Sequence, residues 1–320
     1  MKTPARLLAF TGVLGAAFAA AKAAGAAIDP TGERPAEDGA AGHGNAHGEP
    51  ARAHGGTHAA AGAPAAGGLA VSQDGLTLEP VRTLFTTGDS ARFAFCIVDE
   101  RGRALRDEFE LESEREMHLI VVRRDTATYE HLHPRREPDG TWTVDLELSR
   151  PGTYRVFADF QVDGRQRTLA TDVFAPGDFR PERLPAPAKS DQADGFDVEL
   201  RAPGLRAGRA SELSFAVTRG GRPADDLGRY LGAKGHLVAL REGDLAYLHV
   251  HPSEAGGEHG SGGEDRHGEG GHGHAGSAAG HTNQIPFAAT FPTPGRYRLF
   301  LQFRAGGVVR TVAYTLEVPR

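Results

Sequence analysis

"HLHP" at 131–134 and "HVHP" at 249–252 close two longer stretches, "MHLIVVRRDTATYEHLHP" (117–134) and "GHLVALREGDLAYLHVHP" (235–252). In each, a His is followed by twelve residues and then by His-x-His-Pro, with a Tyr two places before the second His. Both read as β-hairpins, with Asp125-Thr126 as the turn of the first and Gly243-Asp244 as the turn of the second. That register sets His118 opposite His133 and His236 opposite His251. Residues directly opposite have Cβ atoms about 5 Å apart on one face. His131 lies two residues from His133, on the same face, and so becomes a diagonal neighbour of His118 at about 7 Å. His249 stands in the same relation to His236.

Each hairpin is therefore expected to gather three imidazoles at one end. Three imidazoles suit Zn(II) or Cu(II) and leave a fourth position open. Met117 would suit Cu(I), but neighbouring strand residues face opposite sides and the second copy has Gly235 there, so Met117 is not counted as a ligand. The same faces carry Ile120, Val122 and Tyr129, or Val238, Leu240 and Tyr247. A buried, structural role for the histidines is the competing reading.

Around the hairpins the whole unit is written twice. "GFDVEL" (195–200) echoes "GLTLEP" (75–80), and "PGRYRLFLQF" (294–303) echoes "PGTYRVFADF" (151–160). Short β-type runs near 76–80, 91–98, 118–124, 127–133, 141–147, 153–160 and 166–174 give seven strands in the first unit, which suits an antiparallel sandwich. Tyr154 and Tyr297, each following Pro-Gly-x, suit the tyrosine corner of immunoglobulin-type sandwiches. The expected fold is all-β: two tandem immunoglobulin-like sandwiches at 69–174 and 195–320, joined by a Pro-rich linker at 175–194. The lone Cys96 cannot form an intramolecular disulfide and reads as a small buried hydrophobe.

Two segments cannot build a core. Residues 27–68 are rich in Ala, Gly and Pro without apolar periodicity and read as a disordered, His-containing tether. In the second unit 42 residues separate Pro252 from Gly295, against 17 between Pro134 and Gly152 in the first. The extra length, 253–283, carries His259, His267, His272, His274 and His281 among glycines and acids. It reads as a mobile loop able to capture transition metals weakly.

Lys2 and Arg6 precede an apolar run from Leu7 to Ala21, and Ala-x-Ala follows. Residues 1–26 read as a secretory signal, with an uncleaved membrane anchor as the alternative. Either places the body outside the cytoplasm, extracellular or in the cell envelope. The net charge is −6, from 36 basic and 42 acidic residues, and no basic run points to nucleic acid. There is no nucleophile elbow, phosphate loop or His-Glu-x-x-His motif, so no enzyme is expected.

The run "YLGAKGHLVALREGDLAYLHVHP" (230–252), with the upstream "MHLIVVRRD…HLHP" half, resembles a family of bacterial exported proteins with YLGA-x-GHL…YLH-x-HP signatures. The resemblance spans about 75–320. Such proteins are described as secreted or heavy-metal-associated, and more loosely they resemble immunoglobulin-like periplasmic copper carriers. This implies an envelope location and metal handling, with copper or zinc as the ion and envelope metal-transport proteins as partners. The alternative expectation is a non-catalytic structural or interaction module with buried core histidines.

Overall fold

The computed structural model describes residues 67–252 and 283–320. The N-terminal segment, most of the tether, and the loop with its five histidines lie outside the described residues. Every strand pair is antiparallel apart from one isolated parallel bridge, Leu84 with Phe174. The first sandwich comprises β1 (Ser72–Gln73), β2 (Leu76–Pro80), β3 (Ser90–Val98), β4 (Phe109–Glu110), β5 (His118–Arg123), β6 (Tyr129–Leu132), β7 (Arg135–Arg136), β8 (Trp142–Glu147), β9 (Gly152–Val162) and β10 (Arg165–Ala175). The second comprises β11 (Ser190–Ala193), β12 (Phe196–Arg201), β13 (Ala210–Arg219), β14 (Arg222–Pro223), β15 (Leu227–Gly228), β16 (Gly235–Arg241), β17 (Tyr247–Pro252), β18 (Gln284–Thr290), β19 (Gly295–Ala305) and β20 (Val308–Val318). The fold is two tandem immunoglobulin-like β-sandwiches, and among the described residues no helix is long and apolar enough to cross a membrane.

In the first sandwich one sheet runs β1-β2-β3-β8-β7 and the other β10-β9-β5-β6, with β4 also on β9. The second repeats this as β11-β12-β13-β18 and β20-β19-β16-β17, with β14 on β13 and β15 on β19. The His-x-His-Pro stretch is the corner where the chain changes sheets. β6 belongs to one sheet and β7, just past Pro134, to the other. In the second sandwich β17 itself makes the crossing, pairing with β16 and then, at His251 and Pro252, with β18. Proline has no N–H to give to a ladder, so it is tolerated where pairing changes over.

The hairpin register follows the spacing. Leu119 pairs with Leu132 and Ile120 with His131, which brings His118 level with His133. Leu237 pairs with Val250 and Val238 with His249. At the tyrosine corners Tyr154 Oη donates to Arg150 O (2.7 Å) and Tyr297 Oη to Thr293 O (2.9 Å).

All six residues of β5 are buried, because the strand is covered on both faces. Leu119 and Val121 enter the core of the first sandwich with Phe95, Phe160 and Trp142. Ile120 and Val122 face the other way, into a third cluster with Phe157, Val238, Leu240, Tyr247 and Phe300. Burial on both faces explains the unbroken apolar run "HLIVV". The third cluster is the seam between the sandwiches, where the sheet containing β5 packs on the sheet containing β16.

Two sequence expectations change here. Cys96 is only half-buried, since Phe93, Phe95 and Ile97 alternate into the core and leave its thiol, 3.7 Å from Thr141 Oγ1, on the outer face. The last residues of the tether are held by the seam: Gly68 N donates to Thr168 O (2.8 Å) and Tyr247 N to Gly67 O (2.9 Å). Gly68 adopts φ 70° with its Cα against the Phe157 ring, where a side chain would collide.

Candidate metal centre

The histidine face of the first hairpin and His236 of the second end in the seam. His118, His131 and His133 offer one ligand nitrogen each within 4.8 Å of one another. Their ring centres are 5.2 Å (His118–His131), 5.2 Å (His118–His133) and 4.7 Å (His131–His133) apart. His236 of the second sandwich joins them, its ring centre 6.2 Å from His118 and 6.0 Å from His131. The triad expected of the first hairpin is assembled, and His236 of the second hairpin lies beside it. The backbones of His249 and His251 lie in β17, but their side chains, like His259, His267, His272, His274 and His281, lie outside the described residues.

The outward hydrogen bonds decide the tautomers. His118 Nε2 lies 3.0 Å from Glu112 O, and His131 Nδ1 lies 2.8 Å from Gln302 Oε1. With the Gln302 carboxamide oriented so that its Oε1 faces His131, both partners are oxygens that only accept, and each imidazole donates its N–H outward. A neutral imidazole has one N–H. The inner nitrogens, His118 Nδ1 and His131 Nε2, therefore carry lone pairs, and they face each other at 3.0 Å. His133 Nε2 is buried with no hydrogen-bond partner.

Burial, followed by the neighbouring His118 and His133, holds His131 well below the ordinary histidine value. Burial first, then His118, Arg115 and His236, pushes His133 down to about 3. A transition-metal ion removes the lone-pair conflict, because each nitrogen then donates to it. Ligating histidines commonly give their other N–H to a carbonyl, which fixes ring orientation.

The duplication repeats the supporting turn. His236 Nε2 donates to Tyr230 O at 2.8 Å, as His118 does to Glu112 O. Glu112 bridges Arg115 and Tyr230 bridges Ala233, each across a two-residue turn in left-handed conformation: Ser113-Glu114 in one, Leu231-Gly232 in the other. The sequence signal was the equal offset: both acceptors stand six residues before their His. Gln302 had no such signal, being 171 residues from His131. Its counterpart in the first sandwich is Asp159, for His118 pairs with Asp159 as His236 pairs with Gln302. Asp159 is buried and accepts from Gln166 Nε2 (2.8 Å), Thr168 Oγ1 (2.9 Å) and, across the seam, Tyr247 Oη (3.1 Å).

Solved structures with some likeness include two bacterial adhesins. The Escherichia coli adhesin FdeC is 11% identical with a TM-score of 0.24, the match covering 78% of this chain and 66% of that one. InvE of Yersinia pseudotuberculosis is 14% identical with a TM-score of 0.22, covering 77% and 60%. The chain spans less than two thirds of the length of either. No curated protein matches the sequence. A family of domains matches twice, over residues 70–177 and 191–320, one match to each sandwich. The chain belongs to that family, described as a domain of unknown function (DUF8832).

Proposed function

We propose that the chain is a non-catalytic, exported protein that binds a transition-metal ion, copper or zinc, at His118, His131 and His133. One observation carries this reading: three imidazoles offer ligand nitrogens within 4.8 Å of one another, two of them facing at 3.0 Å. An all-imidazole set is the chemistry of Zn(II) and Cu(II) sites, and three histidines leave a position for a further ligand. The signal-like N-terminus supports a place in the envelope, where the protein would buffer or carry the ion in exchange with envelope metal-transport proteins. The histidines at 259, 267, 272, 274 and 281 would add weak capture capacity.

The test is metal titration of the full chain with Zn(II), Cu(II) and Cu(I), alongside the His131→Ala/His133→Ala double variant. The tightest site should vanish in the variant. A second reading, a structural or interaction module, has its own support: the cluster continues an apolar seam, and His118 and His236 each bind a backbone carbonyl. On that reading the variant binds metal like the parent but melts earlier, since truncation leaves a cavity and orphaned partners.

A further inference from the structure

We infer that the bound ion is shared between the two sandwiches, with His236 supplying the fourth imidazole. This rests on the metal reading above and adds to it a ligand from the second half of the chain. Imidazole nitrogens about 2 Å from a tetrahedral ion place their ring centres about 5 Å apart. The first-sandwich triad has that spacing, at 5.2, 5.2 and 4.7 Å. His236, 6.2 Å from His118 and 6.0 Å from His131, is within about 1 Å of that spacing from these two rings.

Three further features agree. A cavity of about 40 Å³ is lined by His118, His131, His236, Asp159 and Tyr247. A space above about 15 Å³ accommodates a water-sized species. His236 Nε2 lies 2.8 Å from Tyr230 O, and the turn that holds it copies the turn that holds His118. The carboxyl group of Asp159 lines the same cavity, and its negative charge would offset part of the charge of a divalent ion.

The ion then joins the halves, and the tight site has a stoichiometry of one ion per chain, not one per hairpin. Binding would favour the closed seam over any opened form, because only the closed form assembles all four ligands.

The test uses the full chain with half an equivalent of Zn(II). X-ray absorption counts the nitrogen ligands, and competition with a chromophoric chelator gives affinity. His236→Ala and His236→Gln are compared with His131→Ala, and circular dichroism checks each metal-free fold. Four nitrogens in the parent, three in the His236 variants, and a loss of at least about ten-fold in affinity are expected. If His236→Ala does not fold, His236→Gln, which keeps a donor for Tyr230 O, and the parent's ligand count decide the matter. Three nitrogens in the parent, with His236 variants that bind like it while His131→Ala does not, would overturn the shared site and leave the three-histidine site standing. Parent-like binding by His131→Ala as well would overturn the metal reading itself.

Discussion

Tyr129 of the first sandwich stacks on Phe300 of the second, ring centres 4.1 Å apart and planes 11° apart. Its mirror across the seam is Phe157 against Tyr247, at 5.3 Å. The duplicated halves thus lock by exchanging equivalent aromatics. Phe300→Ala should cost about 3–5 kcal/mol as a buried aromatic truncation. A double-mutant cycle with Tyr129→Ala, read by urea unfolding, should give a coupling of about 0.5–1.5 kcal/mol. Simple additivity would show that the stack contributes nothing beyond buried area.

Gln302 tunes the metal centre from the opposite sandwich. Gln302→Leu removes the acceptor that orients His131 and should weaken Zn(II) binding about 10- to 100-fold. Gln302→Glu supplies a charged acceptor, raises the basicity of the imidazole, and should bind more tightly than the parent. Chelator competition measures both. Equal affinities in all three proteins would remove His131 from the ligand set.

Acid should destabilise the metal-free protein through the cluster. His131 and His133 are held neutral in the folded state, His133 down to about 3. Unfolded, each titrates near 6.5. As pH falls below about 6.5, the unfolded chain takes up protons that the native state refuses, and stability falls toward pH 3. Thermal melts between pH 7 and 5 should show a steeper decline for the parent than for His131→Gln/His133→Gln. Parallel slopes would mean that these imidazoles do not control the acid response.

The tyrosine corners should matter equally in both halves. Tyr154→Phe and Tyr297→Phe each delete a hydroxyl that donates to a carbonyl, Arg150 O or Thr293 O, and that also contacts Arg150 N (3.2 Å) or Thr293 Oγ1 (3.0 Å). Each should cost about 1 kcal/mol, and the two losses should add because the rings sit in separate cores. Denaturant midpoints of the two single variants and the double variant check this.

What was legible in the sequence is what local chemistry decides. Alternation along "RFAFCIV" and the turn at Asp125-Thr126 depend on residues a few places apart, so the strands and the register of His118 with His133 followed from them. The duplication was legible because it is a property of the sequence itself. Burial was less so: a strand covered on both faces reads as a plain apolar run, and nothing in "HLIVV" tells which face meets its own sandwich and which meets the other.

The sequence alone determined two β-sandwiches, their hairpins, and three histidines on one face of the first hairpin. Only the tertiary structure decided that His236 of the second hairpin meets the triad of the first. That meeting depends on Tyr129 finding Phe300 and His131 finding Gln302, each 171 residues along the chain. Contacts at such separation leave no periodicity, because they arise from how finished sheets pack and not from the preferences of neighbouring residues. The carbonyls of Glu112 and Tyr230 differ: each stands six residues before its His, so the duplication marked them, although every residue has a carbonyl and only the turn aims these two at His118 and His236.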